Sequence, residues 1–299
     1  MSSPRDVLDA LIAAHTSVSA RAALDKACDE VSAGVSATRF CSLFSMQSRS
    51  AGRGLLEPTD AERDAAQSAL PGWEIELWTK LEAVRVRLIL ARTDLAEDAG
   101  RQAIEELFRF ADQGELRALY RSLAFLPAGE RFAWQAAEGC RTNMLDVFTA
   151  VACDTPYPRV QFDDVAWRQM VIKALFVGAP AWRIDGLDER LDDELARMAL
   201  DLVEERRSAG REIQHELWLC LGKHGGDRAI AALESELATE NTRGRRAAAY
   251  GLARAGADTR LAELAENEPA GPVADAMRDA LGGNCARTVF RALDPRLEN

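Results

Sequence analysis

One spacing of apolar residues recurs three times towards the carboxyl end of the chain. Steps of four, nine and three residues separate the members of each set. The sets are Leu217, Leu221, Ile230 and Leu233; Ala248, Leu252, Leu261 and Leu264; and Met277, Leu281, Phe290 and Leu293. A unit of about 30 residues that carries two short apolar helical stripes cannot bury itself alone, so it must stack on its neighbours. The pattern therefore predicts stacked helix pairs.

The spacing alone is not selective for a repeat. The same steps fit a stretch without glycine, which the sequence predicts as one long helix, at Leu187, Leu191, Leu200 and Val203. The three later sets differ because each gap of nine contains a turn signal, at Gly225 and Gly226, at Gly256, and at Gly282 and Gly283. The repeat is therefore predicted only from about residue 213 onward.

Helical periodicity dominates the rest of the chain, and alternating strand patterns are hard to find. An all-α fold follows from this periodicity. A nearly all-round apolar segment from Val165 to Val177 predicts a central helix. The proline-rich turn at residues 155–158 predicts a break before it, because proline disfavours helix at the preceding residue.

Charge and cysteine content exclude several classes of protein. The net charge of −11 and the pI near 5.0 argue against a nucleic-acid partner, because phosphate binding needs Lys and Arg. The six cysteines lack metal-ligand spacing and indicate reduced thiols, which favours a cytoplasmic protein. We predict neither a signal peptide nor a membrane span, because no apolar run approaches about 20 residues.

Catalytic and metal-binding motifs are not found in the sequence. His215 and Glu216 begin an H-E pair of the zinc-protease kind, but Leu219 stands where the second histidine belongs. Residues 222–226 lack the preceding strand and the Ser or Thr after lysine that a phosphate-binding loop needs. The sequence therefore predicts no catalytic residue, no metal and no cofactor.

Polar side chains concentrate in three segments, which are candidate binding sites. They carry Arg141 and Asn143, then Asp188 and Arg190, and then Glu205 and Arg211. Such side chains either contact a ligand or form buried ion pairs that fix helix crossings, since polar groups brought inside must find partners. Trp167 joins the candidates, because tryptophan at helical spacing either fills a core or lines a cavity for a flat apolar ligand.

Five short runs of the chain resemble, in order, motifs of the EboA-domain family. Ala136 to Met144 is similar to A-A-E-G-x-R-T-N-M, Thr155 to Pro158 to x-P-Y-P, Trp167 to Ala174 to W-x-Q-M-V-x-K-A, Gly186 to Arg190 to G-L-D-x-R, and Glu205 to Arg211 to E-R-x-x-A-G-R. The likeness covers residues 44–221. It departs from the family pattern at Arg168 and Asp192, which stand where asparagine is expected, and at Thr155 and Arg207.

The resemblance implies a soluble helical protein of bacteria. Family members are encoded beside a membrane prenyltransferase and barrel-fold enzymes, in clusters that make or export small natural products. Separately, Arg245 to Leu252 resembles the R-R-A-A-x-x-x-L helix of the HEAT-like repeats in phycobilin lyases. We therefore expect a solenoid-like layer of antiparallel helix pairs, with an EboA-like body over residues 1–212 and HEAT-like repeats, continuous with it, over residues 213–299.

Three kinds of function are compatible with this sequence. The first is a non-enzymatic accessory or adaptor protein of a natural-product pathway, which binds a protein partner from the same pathway. The second is an enzyme or carrier that holds an apolar aromatic molecule between helices. The third is a structural subunit with an exposed apolar patch near Leu281 and Phe290. The repeat pattern, together with the lack of a catalytic motif, favours the first.

Overall fold

The computed structural model describes residues 2–297, which form two compact units. The first unit ends at Trp167 and the second begins at Arg168. Within the described range no β-strand forms, and one isolated bridge joins Leu55 and Thr79. The predicted all-α fold class is confirmed. The predicted domain boundary between residues 212 and 213 remains a prediction.

The first unit contains ten α-helices in its described residues. They are α1 Pro4–His15, α2 Val18–Ser32, α3 Ala37–Met46, α4 Asp60–Ala69, α5 Lys80–Ile89, α6 Asp98–Phe110, α7 Gln113–Ser122, α8 Ala133–Arg141, α9 Leu145–Ala152 and α10 Tyr157–Gln161. Short 3-10 segments lie at Gln47–Arg49, Leu123–Phe125 and Gly129–Phe132. Helix α11, Asp164–Val177, contains the point where the units divide.

The described part of the second unit contains five further α-helices. They are α12 Asp193–Ser208, α13 Gly226–Leu237, α14 Thr242–Arg254, α15 Asp258–Ala265 and α16 Pro272–Leu281. The 3-10 segments of this unit are Ala181–Arg183, His215–Cys220, Gly222–His224 and Arg287–Leu293.

Capping boxes begin four helices of the first unit and fix where they start. The pairs are Ser3 with Asp6, Thr59 with Glu62, Thr79 with Glu82, and Asp112 with Glu115. In each pair the two side chains accept hydrogen bonds from backbone amides that the first helical turn leaves without partners. The last two pairs begin α5 and α7, which pack against each other. They therefore hold two carboxylates, Glu82 and Glu115, in one region of the unit.

Helix α5 is the most deeply buried helix of the first unit. Apolar residues from Ala83 to Ile89 pack on α1, α2 and α7, yet Glu82 and Arg85 on the same helix are each only 3% exposed. The helix predicted to be central, from Val165 to Val177, is not buried all round, because Val165 and Phe176 are 60% and 61% exposed. Because α5 contains charged residues, its hydropathy did not predict that it is the most deeply buried helix of the unit.

The predicted glycine turns of the carboxyl-terminal sets are present. Gly226, Gly256 and Gly283 have φ values of 53°, 76° and 90°, a region that favours glycine. The helical segments on either side pack on their neighbours, with α14 contacting α13, α15 and α16. The first segment of the first set and the second segment of the third set are 3-10 rather than α-helical. The likeness to HEAT repeats remains a prediction.

Two further expectations for the second unit are corrected by the structure. The long helix predicted from Leu187 begins only at Asp193, because the Asp192 side chain accepts a hydrogen bond from Leu195 N at 2.8 Å and caps it. For a structural subunit we expected an exposed apolar patch near Leu281 and Phe290; Leu281 is 39% exposed, but Phe290 is fully buried.

Candidate functional site

The predicted site residues of the first unit do not line its largest described cavity. Arg141 ends α8, is exposed and forms an ion pair with Glu138 one turn earlier. Asn143 is exposed in the turn that follows, and the Trp167 side chain is buried. Both side chains of the Arg141 pair are exposed to solvent, so the contribution of this ion pair to stability is small.

The predicted site residues of the second unit form separate pairs. Glu205 lies 3.2 Å from Arg211, and both side chains are largely exposed. Asp188 pairs instead with Arg254, whose guanidinium also donates to the carbonyl oxygens of Cys285 and Leu219. Arg190 is half-buried. A binding role for these residues remains a prediction.

Two departures from the family pattern contact each other. The Arg168 guanidinium donates two hydrogen bonds to the Asp192 carboxylate, from Nε at 2.9 Å and from Nη2 at 2.6 Å. The Arg168 hydrogen bond holds the pKa of Asp192 below its ordinary value, although partial burial opposes this. The ion pair therefore joins two positions at which we expected asparagine.

An open cavity of about 780 Å³ in the first unit is the site best suited to bind a small molecule. Its charged lining residues are Arg53, Glu82, Arg85, Asp112, Glu115 and Arg117. Hydroxyl groups come from Ser45, Ser48 and Thr79, and apolar surface comes from Leu81 and Phe110. We call it the arginine cavity. Helices α5 and α7 supply most of its polar wall.

Glu82 is a buried carboxylate that is fully engaged by its neighbours. Arg117 Nη2 lies 3.0 Å and Arg121 Nε 3.2 Å from Glu82 Oε1, while the backbone amide and hydroxyl of Thr79 donate to Oε2. Burial alone raises the pKa of Glu82, but Arg121, Arg117 and the Thr79 hydrogen bonds outweigh it and hold this pKa below its ordinary value. Glu82 is therefore ionised at neutral pH.

Arg85 is a buried cation with hydrogen-bonding capacity left over. Its Nη2 donates to Glu115 Oε1 at 3.3 Å, its Nε reaches the Phe44 carbonyl oxygen at 3.5 Å, and its guanidinium lies 5.1 Å from the Phe44 ring centroid. No described residue accepts a hydrogen bond from Nη1. That nitrogen lies beside Gly114, where an added Cβ would be 3.8 Å away. Arg85 and Gly114 both line the cavity, so Nη1 is positioned to contact an occupant.

Two smaller cavities differ from the arginine cavity in the residues that line them. One, of about 390 Å³, lies in the second unit and is lined by His215, Glu216 and Arg296, among others. The other, of about 300 Å³, lies in the first unit and is mainly apolar, with Leu70, Leu123 and Tyr157 in its wall. The Tyr157 hydroxyl donates to the Gly129 carbonyl oxygen at 2.7 Å, which ties this wall to the neighbouring 3-10 segment.

Burial dominates the chemistry of the second-unit cavity. Glu216 is 4% exposed, and this burial raises its pKa to about 7. Arg296 lies 3.8 Å from Glu216 and 2.6 Å from Asp294, and its charge opposes the rise in the pKa of Glu216 without cancelling it. The nearby Asp294 carboxylate raises the pKa of Glu216 further.

The sequence did not predict the arginine cavity. The patterns Thr79-x-x-Glu82 and Asp112-x-x-Glu115 are readable capping boxes, and they mark two of its carboxylates. The meeting of these two helix starts depends on contacts between residues 30 or more positions apart, such as Arg85 with Glu115.

Over the part of the chain that the structure describes, no helix is long and apolar enough to cross a membrane. The same residues contain no group of three or more His, Cys, Asp or Glu side chains arranged to hold a metal ion.

Comparison with known proteins identifies one family. No curated protein and no solved structure matches the chain. A family model described as metabolite traffic protein EboA matches residues 5–222. This range contains every helical residue of the first unit except Pro4, and every residue of the arginine cavity. Since this match covers more than half of the 299 residues, the chain belongs to the EboA family.

Proposed function

We propose that this protein is a non-enzymatic accessory factor of metabolite handling that binds a small polar metabolite in the arginine cavity. The observation that carries the proposal is the placement of Arg85, buried and with donors to spare, in the wall of an open cavity of about 780 Å³. The family description as a metabolite traffic protein supports such a role. A cytoplasmic location, a bacterial natural-product pathway and a protein partner from that pathway belong to the same proposal.

Binding fits the cavity better than acid–base catalysis does. A general acid or base works best with a pKa near the operating pH. Glu82 has a lowered pKa because two arginines and Thr79 stabilise its ionised form. Arginine does not give up its proton in proteins. These groups can therefore orient and neutralise a ligand but are poorly suited to transfer protons at neutral pH.

Occupation of the arginine cavity can be tested by blocking it. Gly114→Leu would fill the wall next to Arg85, and the helix should tolerate it because an added Cβ lies 3.5 Å from Asp112 Oδ1 and 3.8 Å from Arg85 Nη1. Native mass spectrometry of the full chain, purified from its native cells, should reveal a bound small molecule that is lost in this variant.

Gly54→Leu is the matched control, because an added Cβ there meets nothing within 4 Å and Gly54 does not line the cavity. Retention of the same bound mass in both variants would contradict the proposal, as would an empty wild-type protein.

The apolar cavity supports a second candidate, a carrier for an apolar aromatic molecule. Its volume of about 300 Å³ is near the lower end of small-molecule sites, and Leu70, Leu123 and Tyr157 line it. Ala124→Leu should then abolish binding of an apolar fluorescent probe while Gly114→Leu leaves it unchanged. The opposite pattern would favour the arginine cavity.

A further inference from the structure

We infer that the arginine cavity selects a ligand with one carboxylate and an apolar body. This inference rests on the proposed function and adds the chemical class of the metabolite. It follows from three features of the cavity: the pairing of its charges, the free donors in its wall and the apolar ring at its rim.

The cationic groups of the cavity are less engaged than its carboxylates. Three arginines and three carboxylates line it, but Glu82 and Glu115 are already paired with arginines and Asp112 accepts a hydrogen bond from the backbone amide of Glu115. Arg53 forms no ion pair with any residue that the structure describes, and its charge lowers the pKa of Arg85, so the two cations influence each other. Arg53 and Nη1 of Arg85 are therefore available to an incoming anion.

A single negative charge suits these donors better than the larger charge of a phosphate monoester, because carboxylates also line the cavity. A phosphoryl group carries about −1.5 to −2 charges at neutral pH, and the additional charge would face Glu82 and Glu115. A carboxylate also matches the planar guanidinium, which donates two parallel hydrogen bonds to it. The spare Nη1 of Arg85, together with Arg53, can supply these donors.

The apolar body of the ligand is inferred from Phe110. This side chain lines the cavity and is 66% exposed, and the Arg109 guanidinium lies 5.3 Å from its ring centroid. An exposed aromatic ring beside a polar cavity gains free energy when a ligand covers it. Leu81 extends the apolar surface on the same cavity.

Isothermal titration calorimetry of the full chain with small probes tests the inference. Phenylacetate should bind at least tenfold more tightly than phenylacetamide, which has nearly the same shape but no charge, and more tightly than phenyl phosphate. Arg53→Ala should weaken phenylacetate binding about tenfold and leave phenylacetamide unchanged, which is in the range expected for one charged hydrogen bond. Phe110→Ala should weaken phenylacetate but not acetate.

Arg49→Ala is the matched control, because Arg49 is an exposed arginine four residues from Arg53 that does not line the cavity. Equal binding of phenylacetate and phenylacetamide, both abolished by Gly114→Leu, would overturn the carboxylate inference and leave the proposed function standing. Tighter binding of phenyl phosphate would overturn the charge argument. Failure of every probe to bind at about 10 mM would also overturn it, and a metabolite retained in native mass spectrometry would still support the proposed function.

Discussion

Two buried glutamates should respond to neutralisation in opposite ways. Glu82 and Glu216 are 3% and 4% exposed, but burial raises the pKa of Glu216 to about 7, whereas Arg121 and Arg117 hold the pKa of Glu82 low. Glutamine has nearly the same shape as glutamate and carries no charge. Glu216→Gln and Glu82→Gln therefore isolate the effect of charge in two environments of similar burial.

The magnitude for Glu216 follows from its two protonation equilibria. Its pKa is about 7 in the folded chain and 4.5 in an unfolded one, so the folded state binds the proton more tightly. Ionisation of Glu216 therefore destabilises the folded state. This destabilisation is absent below about pH 4.5, grows towards pH 7 and is constant above it, with a limit of about 3 kcal/mol. Relative to wild type, Glu216→Gln should become progressively more stable between pH 5 and pH 8.

Glu82 has the opposite sign. Its folded pKa is lowered, so its ionised form stabilises the fold above the unfolded pKa of 4.5, and this contribution is lost as the pH falls through the folded value. Glu82→Gln should cost about 2 kcal/mol at pH 7, because the amide group presents N–H to arginines that need an acceptor. The cost should shrink in strongly acidic solution.

Urea denaturation followed by far-ultraviolet circular dichroism at pH 5, 6, 7 and 8 measures both effects. The quantity compared is the difference in free energy of unfolding between each variant and wild type, which removes every other titrating group. A difference for Glu216→Gln that does not change between pH 5 and pH 8 would refute the reasoning, as would stabilisation by Glu82→Gln at pH 7.

Three further predictions concern stability and reactivity. Gly139→Ala should cost about 1–3 kcal/mol, because its Cβ would lie 2.6 Å from a tyrosine ring, whereas Gly54→Ala should be nearly neutral in the same thermal denaturation assay. A double-mutant cycle with Arg168→Asn and Asp192→Asn should give a coupling energy of about 0.5–1 kcal/mol in urea denaturation, and a value near zero would contradict a stabilising role for this ion pair. Cys220 should resist alkylation by iodoacetamide at pH 8 in the folded chain, because burial raises its pKa to about 12; rapid labelling detected by peptide mass spectrometry would contradict this.

The sequence predicted the elements that local chemistry determines. Gly226, Gly256 and Gly283 mark turns because few other residues adopt their backbone conformation, and each gap of nine contains at least one such glycine. The helix predicted from Leu187 was wrong because apolar spacing continued past the cap at Asp192. The stretch that weakened the repeat argument therefore also contains a helix boundary, although no glycine lies within its gap of nine.

The arginine cavity could not be predicted in the same way. Its parts come from α5, α7 and the segment around Ser48 and Arg53, and nothing in the local sequence brings them together. Glu82 and Arg121 are 39 positions apart in the sequence. The candidates chosen from polar density, such as Arg141 and Glu205, do not line this cavity and pair with near neighbours in the sequence, and their binding role remains a prediction.

Stability alone does not account for the charges on α5. Burial of an ion pair removes two charges from water, and replacement of such a pair by apolar residues of similar size is often neutral or stabilising. Glu82 and Arg85 nevertheless occupy the most deeply buried helix of the first unit, and Arg85 keeps donors that no described residue uses. Water can reach Nη1 of Arg85 in the open cavity, and a carboxylate that displaces this water forms stronger, charge-assisted hydrogen bonds with it. The free energy gained by this exchange is the reason why the buried charges of α5 point to binding.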